Sequence, residues 1–493
     1  MIDFTQILIF FGITILIGVA TWLKVRSGPS AHDGSGKDVF LAGGGLSWLY
    51  VAGSITLTNL STEQLVGMNG NQMLLLAWWE ICGFVGLLIL GFVFVPIYYR
   101  NKCTTVTELL ERRYNGGGIR TLISALFLLG SVLLGLPAAL YSGSLFLKSM
   151  FGVDWSLLWF AAPMAIIAAV YTITGGLKAV AVMDTFSGIG VLAIALLIVV
   201  LALNAVGFDI VTDMPPERIS MIGAVDSPIP IHTLFTGMLF IQIFYWSTNQ
   251  NITQKAMTAP TVREAQKGVM AAAAVRILVI PLIVVVPGVV AYKLFGNTGD
   301  QSYGRLVAHV LPTWLSGAFA AMMAAAVIAH TAAIMNGTVA LYAMDFHDKF
   351  IAKVKDFWRL AAVVTIVLTI TSVLIVPVFE NTTSIINTLQ QLNGLLSMPI
   401  LSAFVVGLLF KNVQSRAAIA GVIWGVAFYA AYNLVTEKGG AFEGALPVWV
   451  HYIDMMLVTL ISSISVALLV NLAMGHRAQF VGFRRQAVAG AEQ

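Results

Sequence analysis

Charge is what this chain has least of. Only 10% of its 493 residues are Asp, Glu, Lys or Arg, against about a quarter in soluble domains. With 58% hydrophobic residues, it is expected to be an all-α polytopic membrane protein. Cysteine is nearly missing: Cys82 and Cys103 lie on opposite sides of a span end and suggest no disulfide framework. A glycine-rich phosphate loop, a metal cluster and a nucleophile–base constellation are all lacking, so an enzyme is not expected. No stretch between spans is long enough for a soluble domain, which argues against a sensor with an output module. The net charge of +4 concerns membrane topology and not nucleic acid, because the basic residues sit in short loops. A cleavable signal peptide is not expected either, since the first apolar run continues from Phe4 to about Leu23.

What the chain does have is apolar runs of membrane length. Thirteen spans are expected, at about 4–24, 47–70, 72–99, 118–150, 155–175, 180–206, 232–254, 267–295, 312–344, 357–378, 383–410, 414–435 and 447–475. Most of the 27 basic residues then fall on one side, among them Arg100, Lys102, Arg112, Arg113, Lys353, Lys355 and Arg359. The positive-inside rule puts that side in the cytoplasm, with the N-terminus outside and the C-terminus inside. An even number of spans would break the alternation. The longest connection, about 207–231, is expected to be external and contains Pro215, Pro216, Pro228 and Pro230. The tail after Arg485 is Ala-rich and reads as disordered.

Two spans are interrupted by polar residues. The first break is Leu57-Thr58-Asn59-Leu60-Ser61-Thr62-Glu63-Gln64 and continues to Gly70. A carboxylate and several amides at mid-membrane depth cost several kcal/mol unless they face protein or water. Transporters use such broken helices to present carbonyls and helix ends to a solute; a polar helix–helix contact is the plainer reading. The second break, Tyr245-Trp246-Ser247-Thr248-Asn249-Gln250, sets aromatics beside amides. That suits a sugar, whose C–H face stacks on rings while its hydroxyls form hydrogen bonds. An aromatic belt at the membrane interface would look similar. Glu80, Asp184, Arg276, His330 and Asp454 complete the intramembrane polar set.

With Thr58–Gly70, Tyr245–Lys255, Ala265–Gly268 and Gln390–Gly394 in order, the chain resembles the sodium:solute symporter family, especially its sodium/sugar branch. Leu41-Ala42-Gly43-Gly44 and Thr174-Gly175-Gly176-Leu177 also match. The resemblance implies a five-plus-five inverted-repeat fold with a broken first helix in each repeat. The repeats fall at 47–206 and 232–410, after a peripheral segment 1–46 and around the loop 207–231, with two peripheral spans and a tail in 411–493. It further implies a solute pocket of Gln64, Glu80, Gln242, Arg276 and Gln390 with Glu63 close by. The gate would be Tyr245, held by Asn59, with Trp246 beside it. No cofactor is implied beyond a coupling ion, sodium or a proton, and no obligate protein partner. The implied partners are a small solute, read as a sugar, and the lipid bilayer of a plasma membrane, the inner membrane in a bacterium.

The chain departs from the sugar-branch pattern at three places. Arg276 stands where a lysine is usual, and Gln242 where asparagine is common. Arginine's fork of donors also suits a carboxylate, so an acidic sugar is one reading and neutralisation by Glu63 and Glu80 the other. The third departure is at the cation site, implied to use carbonyls of Leu57, Leu60 and Ala326 with two hydroxyl side chains. Those hydroxyl positions hold Ala329 and His330 here. Thr331 is one step on, about 100° around the helix. Weak or absent sodium coupling is therefore expected, with His330 a proton carrier, a fixed surrogate cation or simply a core histidine. Asp184 is either on a cytoplasmic ion path or a helix cap. An organic-acid or amino-acid carrier and a transport-deficient solute sensor are the alternatives to a sugar transporter.

Overall fold

The structure is a computed structural model that describes residues 3–26, 47–103, 105–351, 353, 357–381, 384–436 and 450–482. The Leu41–Gly44 motif and the tail beyond Arg485 lie outside them. A bilayer offers the backbone no hydrogen-bond partners, so membrane segments close their own in helices. The first half comprises α1 (Phe4–Arg26), α2 (Trp48–Asn59), α3 (Thr62–Gly70), α4 (Ala77–Ile89), α5 (Val106–Tyr114), α6 (Gly117–Gly130), α7 (Leu136–Phe151) and α8 (Leu158–Ala205). A π-helical turn at Leu90–Phe94 prolongs α4 to Arg100, and another at Ser131–Gly135 joins α6 to α7. The second half comprises α9 (Gly237–Ser247), α10 (Gln250–Ala256), α11 (Val262–Leu278), α12 (Ile280–Phe295), α13 (Ser302–Val310), α14 (Thr313–Leu341), α15 (Phe357–Ile375) and α16 (Ile385–Leu409). Helices α17 (Ser415–Thr436) and α18 (Tyr452–Ala473) follow. A two-residue antiparallel pairing, Phe410 opposite Phe480 and Lys411 opposite Gln479, ties the end of α16 to the segment after α18.

Among the described residues, ten helices are long and apolar enough to cross a membrane. The other expected spans fall on shorter pieces: the α2–α3 pair, the apolar part Leu158–Thr174 of α8, and α9. Helix α8 is continuous for 48 residues across the join of the expected spans 155–175 and 180–206, with Leu158–Thr174 and Ser187–Ala205 as its two apolar parts.

The packing is graded from centre to rim. Of the best apolar window in each span, 78% is buried for the one containing α14 and 67% for α16, but only 17% for α1. Phe4, Leu8, Phe11, Ile15 and Leu16 are accordingly exposed along α1, as a lipid-facing surface requires.

Both expected breaks are present, and each is built from a capping residue. Helix α2 ends at Asn59, Leu60 leaves helical geometry, and extended Ser61 accepts a hydrogen bond from the Gln64 backbone N–H at 3.4 Å. In the second half, Thr248 and Asn249 interrupt the run, and the Asn249 side chain accepts from Asn251 N–H at 2.9 Å. Side-chain oxygens of Ser and Asn satisfy orphan N–H groups at a new helix start, which lets a helix stop and restart inside a membrane.

Candidate functional site

The two breaks and α4 bring distant residues to one buried polar cluster. Glu80 on α4 lies 2.6 Å from Arg276 Nη2 on α11, with 1% and 8% of the two side chains exposed. Gln64, in the first turns of α3, donates to the other Glu80 oxygen. The Asn59 amide, at the end of α2, meets the Tyr245 hydroxyl at 2.8 Å. Turned so that its nitrogen donates to that hydroxyl, its oxygen accepts from Arg276 Nη1 and Nη2 at 2.5 and 2.9 Å. The guanidinium also stacks over the Trp246 ring at 4.1 Å, and Trp246 Nε1 donates to Gln242 at 3.0 Å. Arg276 thus connects α2, α4, α9 and α11. Both of its terminal nitrogens have acceptors, while buried Nε has no hydrogen-bond partner among the described residues.

The residues expected to form the pocket meet there with one exception. Gln390 lies on α16, half-buried, and makes no hydrogen bond among the described residues. It sits one turn beyond Ile386, which packs against Gly67 of α3. Tyr245 and Trp246 do not sit in an interfacial belt. Trp246 is 1% exposed, and Tyr245 meets it edge-on with ring centroids 5.2 Å apart.

Glu63 faces the other way, towards α14. Its Oε2 accepts from Ser61 at 3.2 Å and lies 3.7 Å from His330 Nε2. Leu57 is in the last turn of α2 and Leu60 in the link, where carbonyls lose helical partners. Ala326, Ala329 and His330 follow along α14, with Ala329 buried. Of the two side chains at the implied cation site, Ala329 brings no oxygen and His330 brings a nitrogen. Thr331, one step on, is buried with its hydroxyl lacking a partner among the described residues. Lys255 at the end of α10 donates to the Ser54 carbonyl on α2 at 3.4 Å. Asp184 is within α8, but its side chain is outside the described residues. Asp454 lies away from the cluster at the start of α18, 2.8 Å from His232 and accepting from Thr236 at 2.5 Å.

Several residues went unnoticed in the sequence. A Cβ on Gly83 would lie 2.7 Å from Arg276 Nε and 3.0 Å from Trp246 Nε1, and one on Gly86 2.8 Å from Trp246 Cδ1. Their spacing of three from Glu80 was the available signal. At the far end of α3, Asn69 accepts from Gly288 N–H at 2.7 Å and donates to the Leu65 and Ile283 carbonyls at 2.8 and 3.3 Å. Asn71 bonds Ser384 and Asn387 of the α16 start, and Gln72 donates to the Gly296 carbonyl at 3.0 Å. These amides close that end of the molecule.

A broken-helix pair lined by polar groups, inside a bundle of membrane-length helices, is an arrangement that solute transporters use. A sequence profile of the sodium:solute symporter family matches residues 39–425, and the chain belongs to that family. It is 33% identical over 456 residues to the uncharacterized symporter YidK of Escherichia coli (strain K12), covering 88% of this chain and 79% of that one. It is 28% identical to the sodium/glucose cotransporter of Vibrio parahaemolyticus (96% and 91% covered) and 25% identical to the sodium/myo-inositol cotransporter 2 of Mus musculus (86% and 68%). The solved structure of a Na+-coupled sialic acid symporter, in a substrate-bound outward-open state, superposes with a TM-score of 0.79. At 16% identity, over 97% of this chain and all of that one, it shows the shared fold. The chain is therefore a five-plus-five inverted-repeat transporter and not an enzyme, and the family indicates a coupling ion and no further cofactor.

Proposed function

We propose that the chain carries a neutral sugar or polyol into the cytoplasm of a cell by alternating access between the repeats 47–206 and 232–410. The observation that carries this reading is the compensation of Arg276 by Glu80 at 2.6 Å. A pocket built for a carboxylate needs a guanidinium with charge to offer, and this one is already paired. What remains is a set of neutral donors and acceptors, Gln64, Gln242 and Gln390, beside the Tyr245 ring. Amides and an aromatic face match hydroxyls and C–H bonds. Relatives named for glucose and myo-inositol are in keeping with it.

Tyr245, held by Asn59, is the inner gate below the solute, and Trp246 braces the guanidinium from behind. The basic loops place the N-terminus outside and the C-terminus in the cytoplasm of a plasma membrane. The end of α3 beside Asn69, Asn71 and Gln72 is therefore the outer end, where amide hydrogen bonds tie it to α12, the residues after α12, and α16. Sodium coupling is weak, because Ala329 and His330 replace the two hydroxyls of the family's site. The Ala326, Leu57 and Leu60 carbonyls alone are a poor cage. No protein partner is needed for the cycle.

The test is uptake of labelled neutral and acidic sugars, polyols and amino acids into proteoliposomes, with and without a sodium gradient. Uptake of neutral sugars or polyols that sodium changes little is expected. Uptake confined to acidic sugars or amino acids would overturn the solute assignment. Binding without flux would make the chain a sensor.

A further inference from the structure

We propose that Asp300 is a positioning residue of the transport cycle, the latch that holds the outer ends of α3 and α16 together and releases before solute enters from outside. The proposal rests on the alternating-access reading above. Asp300 lies in the short turn Gly299–Gln301 between α12 and α13 and is 8% exposed, unusual for an acid in an external loop. Its Oδ2 accepts from the Ile385 N–H at 2.8 Å, the first residue of α16. Its Oδ1 is buried without a hydrogen-bond partner among the described residues. That oxygen lies against Gly70, the last residue of α3, where a Cβ would be only 2.8 Å from the Asp300 Cα and nearer still to Oδ1. One carboxylate thus touches the outer half of the broken helix and the start of α16. Opening the outer side separates those two elements, and Asp300 cannot stay on both.

No cation among the described residues neutralises it. The nearby bases have other partners: Arg218 donates to the Asn71 carbonyl at 2.9 Å and stacks on Tyr292, Lys293 pairs with Asp209 at 3.2 Å, and Arg305 donates to Gln301 at 2.6 Å. His309 of α13 turns its ring to Phe295. Tyr141 of α7 feels the fields of both Asp300 and exposed Glu380, which gives no compensation. The facing ends of α3 and α16, Asn69–Gly70 and Ser384–Asn387, carry no charge. Burial therefore pushes the Asp300 carboxyl up to about 7, with the Ile385 N–H opposing the rise. Opening to water returns it towards the ordinary value of about 4.

The sign follows from proton linkage. The closed state holds the proton better, so opening releases it. Between about pH 4 and 7 each unit of rising external pH favours the open state by up to about tenfold. Below that window both states are protonated, above it both are ionised, and the dependence ends.

The experiment follows opening with a cysteine at Ile386, buried between α16 and Gly67. The full-length protein in proteoliposomes carries I386C with Cys82 and Cys103 replaced by alanine, and a membrane-impermeant maleimide is added outside. D300N keeps an acceptor for the Ile385 N–H but cannot titrate, so the ratio of parent to D300N labelling removes the thiol's own ionisation. That ratio is expected to rise at least tenfold from pH 5 to pH 7. G70A, which pushes on Asp300, is expected to label faster at every pH. A flat ratio with intact sugar uptake overturns the latch alone. A rising ratio without uptake of any sugar supports the latch and removes the solute assignment.

Discussion

Gly83 has no side chain because Arg276 fills the space: a Cβ there would lie 2.7 Å from the guanidinium Nε. The same absent Cβ would also press on Trp246 Nε1 at 3.0 Å and Gln242 Oε1 at 3.3 Å, so one glycine sets the position of three pocket groups. G83A is therefore expected to displace the guanidinium from Glu80 and Asn59. Overpacking of this kind costs about 1–3 kcal/mol, which corresponds to roughly a tenfold or greater rise in the KM for uptake. Transport kinetics in proteoliposomes check it. An unchanged KM would mean that Arg276 has no part in the pocket.

Much of this could be read from the sequence, for a physical reason. A bilayer allows few structures, so apolar runs gave the helices, and Ser, Thr and Asn clustered inside two of them gave the breaks. Partners were harder. Glu80 and Arg276 each stood out as a buried charge, but only the fold shows that they meet. Asp300 went unnoticed, because burial of a short turn is not written in its own residues.

Because Glu80 and Arg276 are both buried, removing either strands the other. Breaking a buried pair costs about 3–5 kcal/mol. E80Q should lower the thermal midpoint in detergent and reduce uptake by about a hundredfold or more. The double variant E80Q/R276Q should recover much of the midpoint, since no lone charge remains, without recovering uptake. Equal loss of stability in the single and double variants would show that the pair is not coupled.

The cation site makes a prediction of gained function. Restoring two hydroxyls with A329S/H330S gives the Leu57, Leu60 and Ala326 carbonyls the oxygen partners that sodium needs. The ratio of initial uptake rates with and without sodium should rise several-fold over the parent. The variant also removes the His330 ring from Glu63, now 3.7 Å away. H330A serves as the control and should not gain sodium dependence. Robust sodium dependence of the unaltered chain, unchanged in the double variant, would contradict the reading of the site.

A second buried ion pair separates stability from transport. Asp345, 1% exposed, lies 2.6 Å from Arg120 Nη2 and accepts from Ser124 and, at 3.4 Å, from Thr107. It ties the π-helical continuation of α14, Tyr342–Ile351, to α5 and α6, far from the pocket residues along the chain. Loss of its carboxylate leaves Arg120 with Glu111, and Arg120 is 14% exposed, so water relieves part of the cost. D345A is therefore expected near the lower end of the buried-pair range, at about 3 kcal/mol. Thermal unfolding of the purified protein should show the loss, while the KM of the surviving protein stays at the parent value. A KM that shifts along with the midpoint would place Asp345 in the transport cycle and not only in the scaffold.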